Sequence, residues 1–330
     1  MKHLLTLVLA AFTIFSCQSG SGRDESTISG KQGDVLVVIN KDYWESELGE
    51  LLRSTLKEEY PMLPQPEARF KVSYVPHSGF TTMFQIQRNI IRVDITSSNL
   101  NKVEFRYNIW ATPQCVVDIK ADSYESALKL VNENAYKIVS FIEGTERERI
   151  INNNKAYPSK AAENEVRKII GGSPVFPKET KVFKQTDDFI WLATCNTDYI
   201  KQYVVIYKYP VKKGEDMMSP KSLIEHNLKA INNNVPGTRE DSYMTHSGVI
   251  EPSVEYYRHK NKSFAELRGL WDVKNDFMGG PFVAHVMYSP DGKYMVGIEG
   301  FVYAAKFDKL QYLRDVEAIV YSFEWDESKK

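Results

Sequence analysis

The densest group of residues suited to ligand chemistry lies between Glu266 and Phe282. Strand alternation places Glu266 and Arg268 on one face and Trp271 on the other. The planar guanidinium of Arg268 can bind two oxygens of an anionic group at once. A ladder of cross-strand ion pairs on a solvated face is the simpler interpretation. The segment ends in a run that can hold positive φ angles or bring main-chain amides close to a ligand, Met278-Gly279-Gly280-Pro281.

We take Glu266, Arg268, Trp271 and the run Met278–Pro281 as the candidate binding surface. An exposed ion pair contributes only about 0 to 1 kcal/mol, so Arg268→Ala should cost little stability on this interpretation. A plain structural turn is the simpler interpretation of the run. Gly280→Ala should then be the more damaging change, because a forced positive φ costs about 1 kcal/mol or more.

A second cluster of polar residues surrounds an interruption between strands in the first half of the chain. His77 and Ser78 are adjacent there, and Arg88 and Asn89 mark the point where strand-like sequence resumes. Neighbours in an extended chain point in opposite directions, so a catalytic Ser–His pair would need tertiary contacts that the sequence does not reveal. Together with Gln114, the residues His77, Arg88 and Asn89 form the secondary candidate site.

Sequence motifs of the common enzyme classes do not occur. The chain has no HExxH, P-loop, GxSxG, CxxC or calcium-loop pattern. Its six histidines lack metal-ligand spacing, so the sequence predicts neither a metal nor a cofactor. His285 lies in an apolar run, which favours a hydrogen-bonded core or surface histidine over a ligand. Enzymatic activity stays open, and no catalytic residue is assigned.

A short hydrophobic leader precedes Cys17. A charged start is followed by twelve almost wholly apolar residues, 4–15, and then by Ser16 and Cys17. Such a stretch is too short to span a bilayer and suits an export signal. The run Ile14-Phe15-Ser16-Cys17 resembles the lipobox of bacterial lipoproteins, in which the leader is removed and the cysteine is acylated. A plain secretory signal with a chance cysteine is the alternative.

This resemblance implies a signal peptide over residues 1–16 and a mature chain that begins at Cys17 and is held to a membrane by its lipids. Residues 17–32 contain almost no apolar side chains, which predicts a flexible tether. Gln18 stands where an aspartate commonly signals retention in the inner membrane. The outer membrane is therefore the expected location, and its periplasmic and surface faces both stay open.

Charge and cysteine content narrow the function classes further. The 42 basic and 43 acidic residues nearly cancel, and no long run of one sign occurs, which argues against nucleic-acid binding. Cys115 and Cys195 lie in apolar strand-like runs. They could pair in an exported protein, but unpaired thiols are the favoured interpretation.

The predicted elements place both clusters on strands. In the first half, an apolar strand at 34–39 precedes a helix, and strand-like runs cover 69–75, 88–96, 102–110 and 114–121. The alternation of these runs predicts an antiparallel meander with one solvated face. Ser123 should begin a helix whose apolar stripe covers the other face.

The second half of the chain repeats this order of elements. A helix begins at Ser219-Pro220, a closing helix covers 308–323, and strands are predicted at 188–194, 202–209, 253–259, 263–272, 281–288 and 293–303. We therefore predict an α+β fold with a first unit at 33–157, a linker with a short helix at 158–181, and a second unit at 182–330. Each unit should be an antiparallel sheet covered by helices, and internal duplication would explain their similarity.

Four short motifs follow the lipobox in a fixed order. They are Arg88-Asn89-Ile90, Trp110-Ala111-Thr112-Pro113-Gln114, Arg268-Gly269-Leu270-Trp271 and Met278-Gly279-Gly280-Pro281-Phe282. Together they resemble an uncharacterised domain-of-unknown-function family of lipoproteins from the Bacteroidota, over essentially the whole mature chain. The resemblance implies a lipid anchor and a bacterial envelope location, and it brings no activity, ligand or catalytic residue.

The function expected from these features is that of a lipid-anchored binding or assembly component of the cell envelope, with an envelope protein or a glycan as partner. An envelope hydrolase that acts on glycan or peptide is the alternative. An enzyme needs a concave site where Arg268, His77 or a pair of carboxylates converge with shifted pKa values. A binding protein can instead use an exposed apolar or aromatic patch.

The lipid anchor is tested by Cys17→Ser. Only the cysteine sulfur can accept the diacylglyceryl group, so this variant should keep its leader and take up no lipid label in cells. The measurement is metabolic labelling with a fatty acid, compared with the wild-type chain. Normal labelling of the variant would contradict the lipoprotein interpretation.

Overall fold

The computed structural model describes residues 26–259 and 262–326 and shows two main sheets flanked by helices. The α+β class is therefore confirmed. The leader, Cys17 and residues 17–25 of the predicted tether lie outside the described residues.

Residues 26–32 of the predicted tether belong to the folded first unit. Ser26 and Thr27 pair in parallel with Ala111 and Thr112, and Ser29 bridges to Gln87. The tether prediction is wrong for this part. Main-chain hydrogen bonds hold the segment, and these do not require apolar side chains.

The first unit is built around a five-stranded sheet. Its strands, including one short outlying pair, are β1 (Ser26–Thr27), β2 (Asp34–Val38), β3 (Lys71–Val75), β4 (Asn89–Ile95), β5 (Lys102–Tyr107), β6 (Ala111–Thr112) and β7 (Cys115–Ala121). Its helices are α1 (Lys41–Trp44), α2 (Glu47–Leu56), α3 (Thr82–Gln85) and the 33-residue α4 (Tyr124–Ala156). Apolar side chains of α2 and α4 cover one face of the sheet.

The strand order of this sheet is β3-β2-β4-β7-β5. β2 pairs in parallel with β3 and β4, β4 pairs in parallel with β7, and β5 runs antiparallel to β7. The predicted antiparallel meander is therefore wrong. Strands β2 and β7 are buried on both faces, and continuous apolar runs such as Val35–Ile39 are typical of parallel strands.

The second unit is built around an eight-stranded sheet. The strands of this unit, including the separate two-stranded pair of β8 and β17, are β8 (Gly172–Ser173), β9 (Lys181–Gln185), β10 (Phe189–Asn196), β11 (Lys201–Pro210), β12 (Tyr243–His246), β13 (Ser253–His259), β14 (Lys262–Lys274), β15 (Gly279–Tyr288), β16 (Tyr294–Tyr303) and β17 (Glu324–Trp325). Its helices are α5 (Lys160–Ile170), α6 (Pro220–Asn234) and α7 (Leu310–Tyr321). None of the helices in the described ranges is long and apolar enough to cross a membrane.

All pairs in the large sheet are antiparallel, in the order β12-β14-β15-β16-β11-β10-β9, with β13 also paired to β14. Helix α6 covers one face through Leu223 and Ile231. Helices α5 and α7 cover the other face through Val166 and Ile319. The sheet is thus buried between two helical layers.

The two units differ in topology, so the predicted duplication is wrong. One sheet is largely parallel and the other is antiparallel throughout. The shared order of elements reflects helix and strand periodicities that any amphipathic sequence shows. The segment predicted as a linker, residues 158–181, packs against the second sheet, where Val166 and Phe176 are fully buried.

The two predicted helix starts, at Ser123 and Ser219, are confirmed. The hydroxyl of Ser123 accepts from the main-chain N–H of Ser126 at 3.2 Å, as an N-cap residue does. Ser219 caps α6 in the same way, with a proline in the first turn. Gly171 ends α5 with a φ of 73°, and Gly292 has a φ of 68° in the turn before β16.

The first unit is joined to the second through the loop between α2 and β3. The carboxylate of Glu67 accepts from the main-chain N–H groups of Lys309 at 2.6 Å and Leu310 at 2.9 Å, and so caps α7. Arg314 of α7 donates to the carbonyl of Arg69 at 2.6 Å. These bonds fix α7 against the first unit.

Gly280 is required by a close approach of main chains, and neither Gly279 nor Gly280 has the positive φ considered above. A Cβ on Gly280 would lie 2.0 Å from the carbonyl oxygen of Val302, which accepts from the indole N–H of Trp271 at 3.1 Å. Gly280→Ala should therefore lower the free energy of unfolding by about 1–3 kcal/mol or more.

Urea denaturation measures this effect, and Gly144→Ala is the matched control. A Cβ on Gly144 in α4 meets nothing within 4 Å, so this change should raise stability by about 0.5–1 kcal/mol. Equal stabilities of the two variants would contradict the steric explanation.

Candidate functional site

A cleft of about 790 Å³ lies between the two units. One wall consists of α2, α4 and the loop between α2 and β3, and the other consists of β13, β14 and α7. We call it the first cleft. It is lined by aromatic rings and by charges of both signs, among them Tyr60, Tyr136, Tyr257, Tyr321, Arg69, Arg147, Arg258, Arg268, Glu58, Glu143, Glu255, Glu266 and Glu317.

Arg268 of β14 forms the floor of the first cleft. Its Nε donates to Glu266 at 2.6 Å, its Nη2 to Glu317 at 2.9 Å and its Nη1 to the hydroxyl of Tyr60 at 3.1 Å. The side chain is 14% exposed. The expectation of an exposed ion pair is wrong, because α7 and the loop that carries Tyr60 cover this face of the sheet.

Glu317 of α7 is the second centre of the floor. It accepts from Arg147 of α4 at 2.9 Å and from Tyr60 at 2.7 Å. The guanidinium of Arg147 lies 3.6 Å from the ring centre of Tyr321, whose hydroxyl donates to Glu266 at 2.8 Å. We call this set the Arg268 network: Tyr60, Arg147, Glu266, Arg268, Glu317 and Tyr321.

The network holds its carboxylates ionised. Burial is the largest single effect and raises the pKa of Glu266 and of Glu317. The charge of Arg268, together with His285 at Glu266 and with Arg147 and Tyr60 at Glu317, outweighs burial and lowers both pKa values. The pKa of Glu317 falls to about 2. His285 contacts Glu266 through Nε2 at 3.0 Å, and burial lowers the pKa of His285, so its ring is neutral and donates. Neither carboxyl can donate a proton at neutral pH.

The rim of the first cleft offers rings and charges to a ligand. Tyr136 is 79% exposed and Tyr257 is 37% exposed. Arg69 donates to Glu143 at 2.7 Å and to Glu58 at 3.3 Å. Aromatic faces and hydrogen-bonding groups of both kinds are therefore available to one ligand.

Strand β13 forms an open edge beside the cleft. Among the described residues it pairs with β14 alone. Val273 in β14 donates to the carbonyl of Met278, so the odd-numbered residues of β14 direct their main-chain groups toward β15. The residues of β13 opposite them therefore direct their N–H and C=O groups away from the sheet. These are Val254, Tyr256 and Arg258.

The structure divides the candidate binding surface between the two faces of the sheet. Glu266 and Arg268 line the first cleft, as strand alternation predicts. Trp271 is buried on the opposite face, and Met278 packs against the same core. Gly279, Gly280 and Pro281 lie within β15, paired with Asp272, Trp271 and Leu270.

Arg88 and Asn89 of the secondary candidate site come together around Glu146 of α4. Arg88 pairs with Glu146 at 2.5 Å, and the amide of Asn89 donates to it at 2.6 Å. Gln114 instead donates to main-chain carbonyls at 2.7 Å and 2.6 Å. His77 lies in the short 3-10 turn His77–Gly79 after β3, with Nε2 2.9 Å from the carbonyl of Val93 in β4. These four residues do not form one site.

Four members of the Arg268 network were missed at the sequence level: Tyr60, Arg147, Glu317 and Tyr321. Glu317 carried a usable signal. It lies four residues after Leu313 and three before Val320, so it interrupts the apolar stripe of α7. A carboxylate at such a position must be buried with a partner.

The described part of the chain holds no group of three or more His, Cys, Asp or Glu residues arranged to bind a metal ion. Cys115 and Cys195 are both free thiols. Burial raises the pKa of Cys115 to about 11, so this thiol stays protonated at neutral pH.

Fold and cleft together define a two-unit α+β protein with a ligand-sized cleft between its units. Residues 28–155 match the family model DUF8532 and residues 159–322 match DUF4837, each a domain of unknown function. The expected resemblance to uncharacterised domains is confirmed, and the two units match two different models.

The chain was also compared with solved structures and with curated proteins. A solved structure from Bacteroides thetaiotaomicron VPI-5482 aligns with 48% of this chain at 10% identity and a TM-score of 0.27. The aligned part spans about half of that protein, 47% of its length. No curated protein matches the chain.

Removal of Arg268 should be strongly destabilising. Arg268→Ala leaves Glu266 and Glu317 buried without their main partner, which costs about 3–5 kcal/mol of unfolding free energy. The matched control is Arg258→Ala, which removes an exposed arginine of the neighbouring strand and should change stability by less than about 0.5 kcal/mol. Urea denaturation of both variants measures the difference, and equal stabilities would contradict the buried network.

Acid should weaken the same network. The native pKa of Glu317 is lowered from 4.5 to about 2, so its stabilising contribution is present above pH 4.5 and is lost as the pH falls toward 2.

Proposed function

We propose that this protein is a lipid-anchored component of the bacterial outer membrane that binds an extended segment of another envelope protein in the first cleft. The segment adds as a strand to the open edge of β13. The open edge of β13 is the main support for this proposal, because its outward main-chain groups lie beside a ligand-sized cleft.

Strand addition uses main-chain hydrogen bonds for affinity and neighbouring pockets for specificity. The main-chain hydrogen bonds would come from the outward N–H and C=O groups of Val254, Tyr256 and Arg258. The pockets for side chains would come from the cleft beside them, where Tyr136 and Tyr257 expose ring faces. Its volume of about 790 Å³ lies within the roughly 300–1,000 Å³ of small-molecule sites, enough for a few side chains.

The charge state of the floor favours binding over hydrolysis. A hydrolytic pair of carboxylates usually needs one group with a raised pKa to act as an acid. Glu266 and Glu317 both have lowered pKa values, because Arg268 and their other hydrogen-bond and charge partners together outweigh burial. Both carboxylates accept hydrogen bonds from Arg268, so the floor is a rigid support for the cleft.

The anchor rests on the sequence before the described residues. Cys17 follows a short apolar leader, and Gln18 follows Cys17. Two or three acyl chains at this position would hold the protein stably at a membrane, because each buried CH₂ adds about 0.8 kcal/mol. Both units would then meet partners close to the membrane surface.

Photocrosslinking in cells tests the binding proposal. The photoreactive residue p-benzoylphenylalanine replaces Tyr136 at the rim, with Tyr199, an exposed tyrosine outside the cleft lining, as the control position. We expect crosslinks to a specific envelope protein from position 136 alone. Mass spectrometry identifies the crosslinked segment, which is then synthesised and titrated against the purified protein.

A proline in β13 tests the mode of binding. The N–H of Arg258 points away from the sheet, so Arg258→Pro removes one outward donor while the ladder to β14 remains. Affinity for the synthetic segment should fall about tenfold or more, whereas Arg258→Ala, which keeps the N–H, should bind within a few-fold of wild type. Equal crosslinking from positions 136 and 199, or equal affinity of the two Arg258 variants, would reject strand addition.

A further inference from the structure

A second cleft of about 500 Å³ lies further along α4 and shares no lining residue with the first cleft. It is bounded by Arg149 and the turns of α4 that follow it, by α7 and by the adjoining ends of β10 and β11 in the large sheet. Besides Arg88 and Arg149, its polar lining comprises four amides, one hydroxyl and one carboxylate, which are Gln32, Asn153, Asn154, Gln202, Thr194 and Asp315. Three apolar side chains complete it, Ile150, Pro177 and Ile319.

An unpaired amide marks this cleft. Asn154 is 7% exposed and lines the cleft, and its side chain forms no hydrogen bond to any of the residues that the structure describes. The amide atoms of Asn154 are not among the fully enclosed polar atoms that lack a partner, so they stay accessible from the cleft. An amide both donates and accepts, and hydrogen bonds to a ligand can replace those to water at such a position.

Asp315 supplies an acceptor in the same cleft. The amide of Gln202 donates to Oδ2 of Asp315 at 3.2 Å and to the carbonyl of Tyr312 at 2.9 Å. Burial raises the pKa of Asp315 to about 6, so the group is mostly ionised at neutral pH. An ionised carboxylate accepts several hydrogen bonds and has capacity for hydroxyl donors.

The cations of the cleft are already engaged. Arg88 pairs with Glu146 at 2.5 Å. Arg149 donates to Oδ1 of Asn89 at 2.9 Å and to the carbonyls of Arg88 and Pro113 at 2.7 Å and 2.9 Å. Glu146 thus pairs with Arg88 at 2.5 Å and with Arg149 at 3.3 Å, while Nε of Arg88 keeps no partner among the described residues. Glu146 and Asp315 balance the two cationic charges, so a neutral ligand fits this lining better than an anion.

We propose that the second cleft binds a neutral, hydroxyl-rich molecule of the size of a mono- or disaccharide. Its hydroxyl groups donate to Asp315 and exchange hydrogen bonds with Asn153 and Asn154, because hydroxyls and amides both donate and accept. Ile150 and Ile319 contact the C–H face of its ring. A volume of about 500 Å³ lies within the roughly 300–1,000 Å³ of small-molecule sites.

Thermal melting and calorimetry of the purified full-length protein test this site with five probes at millimolar concentration: glucose, galactose, mannose, N-acetylglucosamine and chitobiose. At least one probe should raise the melting temperature and bind saturably. Asn154→Leu should weaken that binding at least tenfold while the free variant melts at or above the wild-type temperature. Asn152→Leu, an exposed position on the same helix outside the cleft, should bind as wild type.

Asp315→Asn should also weaken binding at least tenfold, which keeps the test decisive if Asn154→Leu fails to fold. Arg258→Pro, which alters the first cleft, should leave sugar binding unchanged, so the two sites are judged separately. The proposal is overturned if no probe binds saturably or if both cleft variants bind as wild type.

Discussion

A buried arginine shared by two carboxylates is the constraint on which the arrangement of both units depends. Arg268 comes from β14, Glu317 from α7 and Arg147 from α4; Glu317 is buried, and both arginines are partly buried. Removing a charge from water costs several kcal/mol unless its partners are placed with good geometry. Helix α4, helix α7 and the large sheet must therefore dock together or leave a buried charge unpaired, and the cap that Glu67 places on α7 reinforces this arrangement.

Strand positions and helix starts followed from the sequence, but strand direction in the first unit did not. Alternation and turn residues located β4, β5 and β7, and Ser123 and Ser219 located two helix starts. Period-two alternation is the same in parallel and antiparallel sheets, so it could not decide their pairing. The cue that could decide was the unbroken apolar run of β2, since strands buried on both faces are typical of parallel sheets.

The candidate site could be predicted only in part. Alternation correctly placed Glu266 and Arg268 on one face, but it reports which side chains share a face and not what covers that face. Tyr60 and the helices α4 and α7 cover that face, and all three are distant from β14 in the sequence. Polar side chains on a strand therefore indicated a solvated surface where the folded protein has a charged core.

The two clefts differ in what they would require from a ligand. In the first cleft, Arg268, Glu266 and Glu317 satisfy one another, so the floor is complete before anything binds, and a preorganised site loses little affinity to ordering. What the first cleft offers instead is a main-chain edge and exposed rings. In the second cleft, Asn154 lacks a hydrogen-bond partner among the described residues, so its amide is free to form hydrogen bonds with a ligand. Any ligand that contacts walls from both units would also stabilise their docking, because it binds only the docked arrangement.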